Sequence, residues 1–276
     1  MASPKSRFIQ FACAIAGLAA AVAVSAMTPA EQKHIDANAE QRRPVLVELF
    51  TSEGCSDCPP ADALLAELDQ QQFVPGADAI VLSEHVTYWN HEGWRDPFSL
   101  ATVDDRQRAY AREFALNDVY TPQAVVDGAE QFVGSDAAKL KLAVARAANK
   151  PVVEIEIAKV HREPDGTIEF AVLAGNQGKG RLVAALAENA TVSEVSRGEN
   201  AGRTLHHVAV VRAMKEFSGK AADGRMLQLK EPNGASGKDS GEPLRVVVFL
   251  EDGWNGHVMG AAEQTLRPDS PAISAR

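Results

Sequence analysis

The sequence predicts two domains, an α/β domain followed by an all-β, sandwich-like domain. In residues 44–150, short apolar runs typical of buried strands alternate with segments whose apolar residues recur at helical spacing. From Pro151 onward the pattern changes, and apolar and polar residues alternate one by one, as in 153–157 and 168–172. This alternation is typical of strands with one buried face. We therefore expect the α/β domain over 44–150 and the all-β domain over 151–265.

The residues that best indicate a chemical function lie at the start of the first domain, around a pair of cysteines. An apolar run with β-branched residues over 45–50 predicts a buried strand that ends in a loop. Cys55 and Cys58 follow, and Pro59-Pro60 suits the first turn of a helix. Free backbone N–H groups at a helix N-terminus can stabilise a thiolate, so this order favours a reactive cysteine pair.

Two other interpretations of the pair stay open, a structural disulfide and a metal site. The chain has three cysteines and no second Cys-x-x-Cys or spaced histidine pair that would complete a structural zinc site. A bridge that closes so short a loop removes little unfolded-state entropy, roughly 2 kcal/mol against about 3 for a 15-residue loop. We favour a redox-active pair over both alternatives.

The rest of the first domain continues with alternating elements. The predicted segments are a helix after Pro59, a strand over 79–86, a loop over 87–101, a helix from 102 to about 117 that starts with a capping box, two short strands over 123–127 and 130–133, and a helix capped by Ser135. The resulting order, β-α-β-α-β-β-α, is that of a thioredoxin-like domain.

Several motifs also resemble known families. The Cys55-Ser-Asp-Cys58 motif and Thr121-Pro122, directly before the third strand, look like the active-site pair and cis-proline loop of thioredoxin-like proteins. More closely, five segments resemble a bacterial secreted family known as domain of unknown function 1223: 48–55, 85–89, 93–98, 106–107 and 120–128. This resemblance covers residues 44–262 and implies a fold but no established substrate.

The resemblance also implies roles for the site residues. Cys55 would be the attacking thiolate and Cys58 the resolving thiol, while Pro122, with Thr121, would shape a substrate groove. Because residues at the start of a helix are more exposed than those a turn inside it, we expect Cys55 on an open rim and Cys58 partly covered.

Acidic and aromatic residues flank this pair. Glu53 and Asp57 disfavour a thiolate, which predicts slow exchange near neutral pH. His85, at the end of the second strand, is expected to support the following loop through hydrogen bonds, with proton transfer or metal binding as alternatives. Trp89 and Trp94 are candidates for a substrate-facing wall, although such residues more often pack a loop onto its domain.

The second domain offers no catalytic constellation. Further strands are predicted over 182–186, 205–211, 226–229 and 244–250. His206 and His207 are adjacent on a strand, so they point to opposite faces and cannot form a metal pair. Trp254 and His257 are expected to close the sandwich edge, and 231–243 is expected to be a mobile loop.

Residues 1–26 have the features of a secretory signal peptide. A cationic start precedes an alanine-rich apolar run over 8–24, which ends in the small-residue pattern Val24-Ser25-Ala26. An uncleaved membrane anchor is the alternative, but the run is only weakly hydrophobic. Cys13 lies within it, so the mature chain would keep only the Cys-x-x-Cys pair. We expect a periplasmic or secreted protein, in a compartment where disulfides persist.

The segments on either side of the two domains, and the net charge of the chain, lead to three further expectations. We expect a linker over 27–43 and a flexible tail over 266–276. Loss of Lys5 and Arg7 with the signal peptide would take the formal net charge from −9 to −11. Such a charge argues against nucleic acid or an anionic membrane as a partner.

The sequence thus favours an exported thiol–disulfide oxidoreductase that needs no cofactor and acts on a protein or small-thiol redox partner. One alternative is a Cu(I)-binding protein with Cys55, Cys58 and His85 as soft ligands. Another is a binding protein whose disulfide is permanent. The sequence indicates neither the substrate nor the oligomeric state.

The signal-peptide assignment makes a direct prediction. Protein recovered from the cell envelope should begin near Met27, because Val24-Ser25-Ala26 forms the cleavage pattern. Intact-mass spectrometry checks this, and a mass that includes residues 1–26 would rule out cleavage.

Overall fold

The computed structural model describes residues 42–174, 180–218, 224–230, 243–253 and 255–266, which belong to one compact unit. Several expected features lie outside these residues: the signal peptide over 1–26, the linker up to 41, the loop over 231–242, Trp254 and the tail after 266. No helix within the described ranges has the length and apolarity needed to cross a membrane.

Strands dominate the described part of the chain. The strands are β1 Arg43–Thr51, β2 Ala77–His85, β3 Gln123–Val126, β4 Glu130–Val133, β5 Ile155–Arg162, β6 Thr167–Ala174, β7 Gly180–Glu194, β8 Thr204–Ser218, β9 Met226–Lys230, β10 Leu244–Asp252 and β11 Val258–Leu266. The α-helices are α1 Pro59–Gln71, α2 Ala101–Glu113 and α3 Ala137–Ala148, and a 3₁₀ turn covers Tyr88–His91.

These strands form one large mixed sheet and one small sheet. The large sheet has eight strands in the order β11-β10-β7-β8-β2-β1-β3-β4, and the small sheet has the order β5-β6-β9. Strand β1 is parallel to β2 and antiparallel to β3. Strand β8 joins β2 through the pair Ser83 and Val210, so strands from both halves of the sequence share one sheet.

The predicted fold class, a thioredoxin-like α/β domain followed by an all-β sandwich, is therefore wrong. The order of elements over 43–148 is as predicted, but β7, β8, β10 and β11 extend the sheet of the first half instead of forming a separate sandwich. The physical reason is that alternation of apolar and polar residues shows only that a strand has a buried face. It does not show which sheet the strand joins.

Two helix starts also differ from the prediction. Helix α2 begins at Ala101 with Leu100 as its N-cap residue and no side-chain cap, so the capping box expected at Thr102 does not form. The next acidic side chain, Asp104, accepts hydrogen bonds from the backbone N–H and the hydroxyl of Thr87. Helix α3 is capped by Asp136, whose side chain accepts from the backbone N–H of Lys139 at 3.0 Å, and not by Ser135. Asp104 thus ties α2 to the turn after β2.

The apolar core crosses the boundary between the two halves. One cluster joins β1, α1 and α3 to β8 and β10, with Leu46, Leu68, Val144, Val211 and Phe249 among its members. A second cluster packs the small sheet against the outer face of β7 and β10. Each such side chain contributes about 1.5–3 kcal/mol through burial, so the shared core holds the halves together.

A buried charge network lies in the same region. Arg106 of α2 donates to Glu48 on β1, to Glu251 on β10 at 2.8 Å and to the hydroxyl of Tyr110 at 2.7 Å. Tyr110 in turn donates to Glu48 at 2.6 Å. Burial and the charge of Glu48 hold the pKa of Glu84 well above its usual range. Arg106 supplies the positive charge that faces the carboxylates of Glu48 and Glu251.

This network predicts a large effect of replacing Arg106. The Arg106→Leu change leaves Glu48 buried without its cation, which should lower the free energy of unfolding by about 3–5 kcal/mol. Arg108→Leu is the matched control, because Arg108 lies on the same helix with about half of its side chain exposed, and it should cost less than about 1 kcal/mol. Urea unfolding measures both, and equal losses would contradict this role of the network.

Candidate functional site

The cysteine pair closes the loop between β1 and α1. Cys55 and Cys58 form a disulfide with a Cα–Cα distance of 5.4 Å, and Cys58 is the N-cap residue of α1. Its carbonyl accepts from the backbone N–H groups of Ala61 and Asp62 at 2.9 and 3.1 Å. Both cysteines are buried, with 1% and 0% of their surface exposed. The expectation that Cys55 lies on an open rim is therefore wrong.

The cover comes from the hairpin loop, residues 195–203, which connects β7 and β8. The Asn200 side-chain amide donates to the carbonyl oxygens of Glu53 and Cys55 at 2.8 and 2.9 Å. The backbone N–H of Ser56 donates to the Glu199 carboxylate at 2.9 Å. The hairpin loop thus binds both sides of Cys55, although it belongs to the segment for which a separate domain was predicted.

The two tryptophans pack around the same loop. Trp89 donates its indole N–H to the hydroxyl of Thr121 at 2.7 Å, and Trp94 donates to the Glu53 carboxylate at 2.8 Å. A Cβ on Gly54 would lie 3.1 Å from the Cβ of Trp89. Both indole N–H groups are therefore used within the protein. The Thr121–Pro122 peptide bond is cis, and the substrate-groove role of these two residues stays a prediction.

His85 is fully buried behind this loop. Its Nδ1 lies 2.7 Å from Asp96 Oδ2, and its Nε2 lies 3.3 Å from the hydroxyl of Ser83. Asp96 also accepts from the backbone N–H of Glu53 at 2.9 Å. Burial raises the pKa of Asp96, but His85 and the backbone donors outweigh it, so the pKa is lowered. His85 therefore supports the cysteine loop through Asp96.

The expected Cu(I) ligands, Cys55, Cys58 and His85, are not among the groups of potential metal ligands found in the described residues. The group of potential ligands found there within 4.8 Å of one another is His161, Glu163 and Glu169, on the partly exposed β5–β6 hairpin. His85, with both ring nitrogens close to oxygen atoms, offers no free lone pair in this arrangement.

His207 is the site residue that sequence reasoning missed. His206 is exposed and His207 is buried, so they occupy opposite faces as predicted. The His207 ring lies 4.7 Å from the His85 ring, and its Nε2 and Nδ1 lie 3.4 Å from Glu53 and 3.7 Å from Asp62. Burial lowers the pKa of His207, but these two carboxylates outweigh it and raise the pKa to about 10. His207 is therefore a cation at neutral pH.

Comparison with known proteins assigns the chain to a family. Residues 46–251 match a family described as protein of unknown function (DUF1223). The chain belongs to this family. Membership of this family, which the motifs predicted, is thereby confirmed, whereas the secreted nature of the protein stays a prediction. No curated protein matches the chain.

A solved structure shares the fold. It is the crystal structure of protein AGR_C_4864 from Agrobacterium tumefaciens, a structural genomics target. The similarity covers 85% of this chain and 99% of that chain, with 25% sequence identity and a TM-score of 0.58.

The contacts of Asn200 predict how the disulfide is protected. Asn200→Ala removes the two hydrogen bonds from the hairpin loop to the cysteine loop, worth about 1 kcal/mol each, so opening of the hairpin loop should become roughly tenfold or more favourable. The rate at which dithiothreitol reduces the folded protein should rise by the same factor. Asn149→Ala, at the exposed end of α3, is the control. A rate for Asn200→Ala that equals the wild-type rate would show that the loop does not limit access.

Proposed function

We propose that the protein is a thiol–disulfide exchange protein that uses Cys55 and Cys58 as its redox pair. The observation that carries the proposal is the position of the disulfide, between the end of β1 and the N-terminus of α1, under a loop that contacts the cysteine motif through hydrogen bonds. A helix N-terminus stabilises a thiolate after reduction. A cover that depends on a few hydrogen bonds can open without unfolding the sheet.

The energetic cost of burying charged residues around the disulfide also supports thiol–disulfide exchange over a purely structural bridge. A disulfide across so short a loop adds roughly 2 kcal/mol. Around it the protein buries three carboxylates and two histidines, Glu53, Asp62, Asp96, His85 and His207. Burying charged groups is expensive unless they are well paired. A structural bridge gains nothing from such a cluster, whereas the reduction of a pair that changes its charge is sensitive to it.

The expected chemistry is exchange with a protein or small-thiol partner. A thiolate of the partner attacks one sulfur of the Cys55–Cys58 disulfide, a mixed disulfide forms, and the other cysteine leaves as a thiolate. A second thiol of the partner then releases the reduced protein, so two electrons pass from the partner to the pair. Because the hairpin loop binds the backbone on both sides of Cys55, loop opening exposes Cys55 first.

We propose the cell envelope as the location. The signal-peptide pattern of residues 1–26 supports export, and disulfides persist in oxidising compartments. In that setting the protein would rest in the oxidised, closed form until a partner displaces the hairpin loop.

A binding protein with a permanent disulfide is the second candidate. The observation that favours it is the burial of both cysteines. A buried disulfide is inaccessible to partner thiols as long as the hairpin loop stays closed.

The reduction potential decides between these two functions. An exchange protein should equilibrate with redox buffers at a potential near or above about −250 mV, whereas a permanent bridge should lie well below about −300 mV. The measurement uses glutathione and dithiothreitol buffers with mass-spectrometric detection of alkylated thiols.

A trapping experiment with serine variants gives a second test. Cys58→Ser should trap mixed disulfides at Cys55, and Cys55→Ser should trap few. A low potential together with no trapped partner would overturn the proposed function.

A further inference from the structure

The two sides of the cysteine motif each contribute a carboxylate to one buried histidine. Glu53 lies two residues before Cys55, and Asp62 lies one helical turn after Cys58. Between them is His207 of β8, 3.4 Å from Glu53 Oε1 and 3.7 Å from Asp62 Oδ2. All three residues are at least nine-tenths buried.

We propose that His207 is a positioning residue of the disulfide site, which joins the loop before Cys55 to the helix after Cys58 and sets how readily the pair is reduced. This inference rests on the proposed function, because it concerns the redox equilibrium of the same disulfide. His207 acts through Glu53 and Asp62 and not by attack on sulfur.

The carboxylates are held so that each presents an oxygen to His207. Glu53 is fixed by three contacts, since its backbone N–H binds Asp96, its carbonyl binds Asn200 and its Oε2 binds Trp94. Its remaining oxygen, Oε1, makes no hydrogen bond within the described residues and faces the imidazole. On the other side, Asp62 Oδ1 accepts from the hydroxyl of Thr51 at 2.8 Å, which leaves Oδ2 for His207.

The contact is an ion pair and not a set of close hydrogen bonds. Neither ring nitrogen of His207 has a hydrogen-bond partner among the described residues, and both carboxylate distances exceed 3.3 Å. What His207 supplies is therefore mainly positive charge in a place without water access. Interactions between charges are strongest in such buried places, because screening by solvent is weak.

Every element packed against His207 contributes to its charge environment. The β1–α1 loop supplies Glu53, α1 supplies Asp62, β2 supplies His85, and the loop after the 3₁₀ turn supplies Asp96 behind His85. Arg212, on the same strand, is separated from His207 by the ring of Phe98. Two carboxylates thus face one imidazolium directly. Without that cation, both would oppose the negative charge that forms when a cysteine ionises.

Dithiothreitol reduces the disulfide in two thiol–disulfide exchange steps. One thiolate of the reagent attacks the disulfide, the S–S bond breaks, and a mixed disulfide and a protein thiolate form. The second thiol of the reagent then closes its ring and releases the other protein sulfur. The reagent is oxidised to a cyclic disulfide, and two electrons and two protons reach Cys55 and Cys58. A cation that offsets Glu53 and Asp62 favours the product side, because these two carboxylates would otherwise oppose any thiolate fraction.

The test compares His207→Gln with His206→Gln in the full-length chain. The His206 side chain is exposed on the opposite face of the same strand, which makes it a matched control. For His207→Gln we expect the equilibrium constant for reduction by dithiothreitol to fall about tenfold, which corresponds to about 30 mV for a two-electron couple. His206→Gln should leave it unchanged.

Two further variants separate charge from packing. Asp62→Asn removes one carboxylate and should shift the equilibrium towards the reduced form, opposite to His207→Gln. The double change Glu53→Gln with His207→Gln removes one negative and one positive charge and should return the equilibrium towards the wild-type value. A histidine with only a packing role would give no such reversal. Asp62→Asn leaves His207 in place, so its shift towards the reduced form tests the charge effect even if His207→Gln does not fold, and an unchanged equilibrium in Asp62→Asn would contradict that effect.

The pH dependence of stability supplies an independent readout. The pKa of His207 is raised from its usual 6.5 to about 10 in the folded protein. Its contribution to stability is therefore complete below about pH 6.5, falls as the pH rises, and is gone above about pH 10. His207→Gln should lack this loss between pH 6.5 and 10, whereas His206→Gln should keep it.

The outcomes distinguish this inference from the proposed function. If the wild-type potential is well below about −300 mV but the tenfold shift of His207→Gln is present, the inference holds and the exchange function fails. If the potential is near −250 mV and His207→Gln behaves like His206→Gln in both potential and pH profile, the inference is overturned and the exchange function stands.

Discussion

The junction of β8 with β2 is the constraint on which the rest of the structure depends. It joins the strands of the second half to the sheet of the first half through Ser83 and Val210. The same strand carries His207 next to His85, and the hairpin loop that precedes it covers Cys55. If β8 were part of a separate sandwich, the disulfide would lie open at the end of α1. The shared sheet is therefore what turns a Cys-x-x-Cys motif into a closed, charged and buried site.

The buried charges explain why closure and chemistry are linked. Glu53 contacts Asp96, Trp94 and Asn200 and faces His207, so one residue connects the hairpin loop, the loop that carries Trp94 and Asp96, and β8. Movement of any of these elements leaves a buried charge with fewer partners, which is costly. The site should consequently open as a unit, and its charge balance should change when the cysteines gain or lose protons.

Local signals predicted the order of elements over 43–148 but not the fold class, and long-range contacts account for what was missed. The apolar run before Cys55 and the proline pair after Cys58 fixed β1 and the start of α1. The contact of Asn200 with Glu53 joins residues 147 positions apart, and no local pattern marks it. One signal was available: a histidine at 207 on the apolar face between Leu205 and Ala209 needs a buried partner. The partner lay in the other half of the sequence, which periodicity cannot identify.

The central claim is that the hairpin loop and the disulfide form one closed unit. Amide hydrogen exchange followed by mass spectrometry tests it most directly, with the oxidised and reduced forms of the protein compared peptide by peptide. We expect that reduction of the disulfide accelerates amide hydrogen exchange in both 52–58 and 195–203, while amide hydrogen exchange in α3 stays unchanged. Faster exchange in 52–58 with no change in 195–203 would contradict it.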